Sequence, residues 1–131
     1  MSLGRVLVVD DEPVLGHLLE AALWDAGYAV RVAPDGAAGL GHITPVWRPD
    51  VILLDLVMPR ATGWDFVPAY RARWGRRAAI FVMTAAGPGA VRAAHTLDVE
   101  EILVKPLHLD HLLELVATHL AQRRRLRLAA S

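Results

Sequence analysis

The chain of 131 residues contains no cysteine, which excludes both a disulfide framework and a thiolate metal site. It has almost no lysine. Thirteen of its 14 basic residues are arginine, and Lys105 stands alone. Long apolar runs are missing too. The longest uncharged stretch covers 14 residues, 78–91, and is broken by Gly87, Pro88 and Gly89. A membrane helix needs about 20 apolar residues, so no span is predicted. Asp10 and Asp11 follow the N-terminus too closely for a secretory signal. These features lead to the expectation of a cytoplasmic protein. Nor is there a net charge, although the zero balance hides an asymmetry. Residues 1–122 hold ten basic against 14 acidic groups, a net of −4, and four arginines (Arg123, Arg124, Arg125 and Arg127) follow. An acidic body is a poor binder of polyanions, so no direct nucleic-acid binding is expected of it. What is present is apolar content: 54% hydrophobic against 21% charged residues, enough for one packed domain and too apolar for disorder. One domain over 1–122 is expected, with 123–131 a basic tail or the start of a linker.

Apolar runs of strand length alternate with helical periodicity. The run 5–9 (RVLVV) is short, rich in β-branched residues and ends at two aspartates, as befits a strand buried on both faces. Leu15, Leu18, Leu19, Ala22, Leu23 and Ala26 then form a helical apolar face, with Pro13 at its start and Gly27 just past its end. Further strands are predicted at 29–33, 51–54, 79–83 and 102–104. Further helices are predicted at 36–43, 64–74 and 90–96, and on a final stripe of Leu109, Leu112, Leu113, Val116 and Leu120. Pro68 lies early enough in its helix to remove only about one interior hydrogen bond. Regular alternation with short connections predicts a doubly wound α/β domain, a parallel sheet with helices on both faces. Its ligand site belongs at the carboxyl ends of the strands.

At those ends stand Asp10, Asp11, Asp55, Thr84 and Lys105, while the strands themselves are apolar. Carboxylates gathered in low dielectric need a cation or a proton. Oxygen-only ligands favour a hard cation, Mg²⁺ before Ca²⁺, with positions left for water and phosphate. A carboxylate in such a place can act as nucleophile on a phosphoryl group, with a lysine and a hydroxyl to hold its oxygens. Two more modest readings apply to single residues. Asp10 and Asp11 would also serve as helix caps, and Asp55 as a turn residue. His108 and His111 share a helical face, but no third ligand stands at zinc spacing.

These segments resemble the receiver domain of two-component response regulators, the chemotaxis-type receiver family. The likeness is carried by VLVVDDEP at 6–13, PDVILLDLVMP at 49–59, Gly63, VMTAA at 82–86 and ILVKP at 102–106. The resemblance implies a flavodoxin-like (β/α)5 fold with five parallel strands in the order 2-1-3-4-5. It further implies that Asp55 accepts a phosphoryl group, and that Asp10, Asp11, Asp55 and the Val57 carbonyl hold Mg²⁺ or Mn²⁺. Thr84 would be the switch hydroxyl, Lys105 the counter-ion of the phosphate and Lys105–Pro106 a cis peptide. The implied partners are a sensor histidine kinase or histidine phosphotransfer protein upstream and an unknown output domain or effector downstream. On this reading the chain is a signalling switch that catalyses only its own phosphorylation and dephosphorylation.

The sequence also departs from the family pattern. Ile102 stands where a switch aromatic is usual, Asp98-Val99 replace a Gly-Ala pair, and Thr62 replaces an acid before Gly63. His111 and Leu115 occupy positions that carry an acid and an arginine in dimerising winged-helix regulators, so that dimer is not predicted. Two alternatives stand beside the switch: a Mg²⁺-dependent phosphohydrolase or phosphotransferase acting on small molecules, and an unphosphorylated pseudo-receiver used for docking. The first would need an extra acid two residues after Asp55, where the chain has Val57.

Overall fold

The computed structural model describes residues 2–56 and 63–130. Five strands, β1 (Arg5–Val9), β2 (Ala29–Ala33), β3 (Val51–Asp55), β4 (Ala79–Thr84) and β5 (Glu101–Val104), alternate with five helices. These are α1 (Pro13–Asp25), α2 (Gly36–His42), α3 (Gly63–Trp74), α4 (Pro88–Ala94) and α5 (Leu109–Ala130), with a 3₁₀ turn at His95–Leu97. All pairings are parallel and the order is β2-β1-β3-β4-β5, the topology expected. β1 lies between β2 and β3, so the order reverses at the carboxyl end of β1, beside Asp10.

Strand periodicity divides the core in two. Val6, Val8, Leu53, Phe81 and Met83 point to the face covered by Leu19 and Leu23 of α1 and Leu112, Val116 and Leu120 of α5. Their alternates Leu7, Val9, Ile52, Leu54, Ile80 and Val82 point to the face covered by Phe66, Val67 and Tyr70 of α3 and Ala94 of α4. β3 and β4 are buried at every residue, which is why they read as continuous apolar runs.

Local signals place most of the boundaries. Pro13 opens α1, and Gly27, at φ 102°, reverses the chain after it in a conformation that L side chains avoid. The Asp35 side chain accepts the Ala38 amide at 2.8 Å and caps α2. The helix expected at 90–96 is instead an α-helix over Pro88–Ala94 followed by the 3₁₀ turn, closed by Asp98 in the left-handed region. Arg71 of α3 ties down that turn, donating to the Leu97 and Asp98 carbonyls at 2.7 Å each. α5 does not stop at its last buried leucine. Its backbone stays helical through 123–130, a stretch of arginine, leucine and alanine, all strong helix formers. Among the described residues no helix is long and apolar enough to cross a membrane.

Candidate functional site

The carboxyl edge of the sheet collects the polar strand-end residues. Asp10 follows β1, its amide donating to the Ala33 carbonyl of β2 at 3.0 Å. Asp55 closes β3 and Thr84 closes β4. Lys105 follows β5, its amide donating to the Thr84 carbonyl at 2.9 Å. The sheet's own ladder therefore holds these backbones to within the precision of strand pairing. Asp10, Asp55 and Thr84 are buried, at 3%, 1% and 2% exposure. Asp11 is exposed.

Asp10, Asp11 and Asp55 each offer a carboxylate oxygen, all within 4.8 Å of one another. Lys105 Nζ lies 3.2 Å from Asp55 Oδ2 and 3.9 Å from Asp10 Oδ2. Asp10 Oδ1 accepts the Glu12 amide at 2.8 Å, which turns the carboxylate into the site. Its other oxygen, Oδ2, is buried and accepts no hydrogen bond. Burial pushes the Asp10 carboxyl above the ordinary carboxylate range. The Glu12 amide opposes this; Asp55 pushes the same way, Lys105 opposes it, and Asp11 adds to it. Among the described residues one lysine thus stands with three carboxylates, an excess of negative charge that a hard cation would relieve.

Gly63, at the start of α3, explains how a helix can begin so near Asp55. A Cβ there would lie 2.7 Å from the Asp55 carbonyl oxygen and 2.8 Å from Leu56 Cδ2, closer than any side chain is tolerated. Glycine is the residue that allows α3 to pack directly on the end of β3.

The site therefore assembles Asp10, Asp11, Asp55 and Lys105 through their side chains, with Thr84 buried at the adjacent strand end. The Lys105–Pro106 peptide is cis. Val57, assigned a carbonyl ligand by resemblance, lies outside the described residues. Ile102 lies away from the cluster, half-buried in β5 against the α3–α4 face of the core. His108 and His111 belong to no cluster of potential metal ligands among the described residues. Sequence reasoning missed the part played by Glu12, whose backbone amide orients Asp10. A backbone contact two residues away leaves no compositional trace.

A family model, the response regulator receiver domain, matches residues 6–117. The chain belongs to that family. Among curated relatives of this receiver domain, the transcriptional regulatory protein CusR of Escherichia coli (strain K12) is 33% identical over 115 residues. That alignment takes in 87% of this chain and 50% of CusR. The response regulator MprA of Mycobacterium avium (strain 104) is 37% identical over 111 residues, 83% of this chain and 47% of MprA. The receiver domain thus spans about half the length of the curated relatives it matches. Among solved structures, chemotaxis protein CheY4 of Vibrio cholerae superimposes with a TM-score of 0.78 at 32% identity, covering 88% of this chain and 97% of that one. These relatives are signalling proteins, not classical enzymes, and the receiver domain shares their fold.

Proposed function

We propose that this receiver domain is a phosphorylation-dependent switch. It takes a phosphoryl group on Asp55 from the phosphohistidine of a sensor kinase or phosphotransfer protein, in a Mg²⁺-dependent reaction, and changes conformation to signal. One observation carries the reading: Asp55 is buried, within 3.2 Å of the chain's single lysine and within reach of two more carboxylates. An isolated structural aspartate needs no such company.

The donor set suits Mg²⁺. Asp10 Oδ2 is a buried oxygen without a hydrogen-bond donor, Asp11 is open to water, and among the described residues the clustered ligands are all hard carboxylate oxygens. Asp10, Asp11 and Asp55 would hold the ion, with the Val57 carbonyl as a further ligand. When bound, Mg²⁺ supplies neutralisation of the charge that develops on the phosphoryl oxygens. The chain's own groups do the rest. An Asp55 carboxylate oxygen forms the bond to phosphorus as the phosphorus–nitrogen bond of phosphohistidine breaks. Lys105 leaves its ion pair with the Asp55 carboxylate and follows the negative charge onto the phosphoryl oxygens. Thr84 lies at the neighbouring strand end, where its hydroxyl reaches the same oxygens once the loop after β4 moves.

The test is incubation with Mg²⁺ and acetyl phosphate, followed by intact mass. The wild type gains one phosphoryl group, and Asp55→Asn gains none. An unchanged mass gain in Asp55→Asn sinks the assignment.

A further inference from the structure

At the opposite edge of the sheet, far from the acidic cluster, α5 and the amino-terminal ends of the strands enclose an open cleft of about 1060 Å³. Six arginines line it: Arg5, Arg48, Arg76, Arg77, Arg123 and Arg127. They come from β1, from the segments before β3 and β4, and from α5. The two carboxylates of the lining are engaged with sheet backbone. Asp50 Oδ2 accepts the Arg5 amide at 2.9 Å, and Glu100 Oε2 accepts the Ile80 amide at 2.7 Å. Six guanidinium groups against two carboxylates leave the cleft at +4 in a chain whose formal net charge is zero.

The arrangement on α5 argues against a merely solvated face. Leu112, Val116 and Leu120 form its buried stripe, and Arg123 and Arg127 continue that stripe at helical spacing. The same face of the helix therefore changes from leucine to arginine as it leaves the hydrophobic core, with Arg123 part-buried and Arg127 exposed. The helix dipole does not account for Arg123 either. It lies about two turns before Ala130, whereas dipole compensation fades within the last turn. Some of the arginines have partners: Arg76 pairs with Asp98 at 2.9 Å, and Arg127 Nη2 approaches Asp50 Oδ1 at 3.8 Å. Arg48 donates to the Pro45 carbonyl at 3.1 Å. Among the described residues, the side chains of Arg5, Arg77 and Arg123 have neither an ion pair nor a hydrogen bond.

We propose that this cleft binds a small oligophosphate anion, one carrying two or more linked phosphoryl groups. Guanidinium forks match phosphoryl oxygens bidentately and are more weakly hydrated than ammonium groups. Uncommitted forks on three separate segments call for a multidentate anion. The volume suits a molecule of nucleotide size, since small-ligand pockets run to about 1,000 Å³. Both inorganic oligophosphate and the phosphate chain of a nucleotide offer this chemistry.

Calorimetric titration of the full chain, in Mg²⁺-free buffer at low salt, tests the proposal with sodium tripolyphosphate, orthophosphate, ATP and a short DNA duplex. Tripolyphosphate is expected to bind about tenfold or more tightly than orthophosphate, because one anion then spans several forks. ATP binding more tightly than tripolyphosphate identifies the nucleotide as the better source, and the reverse identifies the free chain. Arg77→Gln/Arg123→Gln is expected to lose about tenfold in affinity while keeping the Asp55 mass gain with acetyl phosphate, which shows that it is folded. Arg5→Gln, at the exposed start of β1, serves if the double variant is unstable, and should also weaken binding. Equal affinity for tripolyphosphate and orthophosphate, or wild-type affinity in the variants, overturns the proposal. So does a duplex that displaces tripolyphosphate and binds more tightly, which would make the cleft a nucleic-acid face.

Discussion

Replacing Asp10 by asparagine should stabilise the metal-free protein at neutral pH. Asp10 is 3% exposed, and its Oδ2 accepts no hydrogen bond. At an effective dielectric of about 20, Lys105 at 3.9 Å attracts it by about 4 kcal/mol, while Asp55, no farther than 4.8 Å, repels it by about 3.5 kcal/mol. Those two contributions nearly cancel, leaving desolvation and the weaker repulsion from exposed Asp11 opposed by the Glu12 amide. An asparagine keeps Oδ1 for the Glu12 amide and puts an uncharged N–H₂ donor where Oδ2 was, within the carboxylate cluster. The gain should be about 1–3 kcal/mol, the usual cost of an unsatisfied buried polar atom. For a domain of this size that raises Tm by about 3–12 °C. The sign of the pH dependence follows from the raised pKa of Asp10. The folded state holds its proton more tightly than the unfolded chain does, so this group's contribution is favourable below pH 3.8 and is lost as pH rises through the folded value. The advantage of Asp10→Asn should therefore be present at pH 7 and vanish in acid. Mg²⁺ should stabilise the wild type, by about 1.4 kcal/mol at ten times the dissociation constant, and should do little for the variant. Thermal melts at pH 7 with EDTA or Mg²⁺, repeated near pH 3.5, measure all of this. A variant no more stable than wild type in EDTA at pH 7, or one with an undiminished Mg²⁺ response, refutes the reasoning.

Three further outcomes are expected. Gly63→Ala forces a Cβ to within 2.7 Å of the Asp55 carbonyl oxygen, so urea unfolding should show a loss of about 1–3 kcal/mol and acetyl phosphate should react more slowly; a neutral substitution would contradict the packing argument. Tyr70→Phe removes the hydroxyl that accepts the buried Ala78 amide at 3.1 Å and should cost about 1–3 kcal/mol. Because burial raises the Tyr70 pKa, wild-type stability should also fall as pH rises above 10, less steeply in Tyr70→Phe, and pH-dependent melts report both. Ile102, β-branched and stiff at χ1, should keep one rotamer when beryllofluoride mimics the phosphoryl group, with methyl NMR changes concentrated at 84–92. A rotamer change at Ile102 as large as that of a switch aromatic would count against it.

Most of the fold and much of the site were legible in the chain because each depends on short-range pattern. Runs such as 51–54 and 79–83 are apolar on both faces because helices cover both, and their regular alternation with helical stretches implies a parallel, doubly wound sheet. A doubly wound sheet then sends the residues after its strands to one edge, so Asp10, Asp55, Thr84 and Lys105 could be grouped before any distance was known. Pro13 and Gly27 punctuate α1 by backbone restriction that acts within a residue or two.

What required the tertiary structure are quantities that depend on separation in space. The 3.2 Å approach of Lys105 to Asp55 spans fifty residues, and the unsatisfied Oδ2 of Asp10 is a consequence of its burial in the folded chain. The crowding at Gly63 is likewise a contact between a helix start and a strand end, which composition does not reveal. The basic cleft is the clearest instance. Arg5, the pair Arg76-Arg77 and the run from Arg123 lie far apart along the sequence, and the arginines of α5 read there as a tail. Crossover connections return every strand to the same edge, and α5 overruns that edge, so the fold gathers into one cleft what the chain keeps apart.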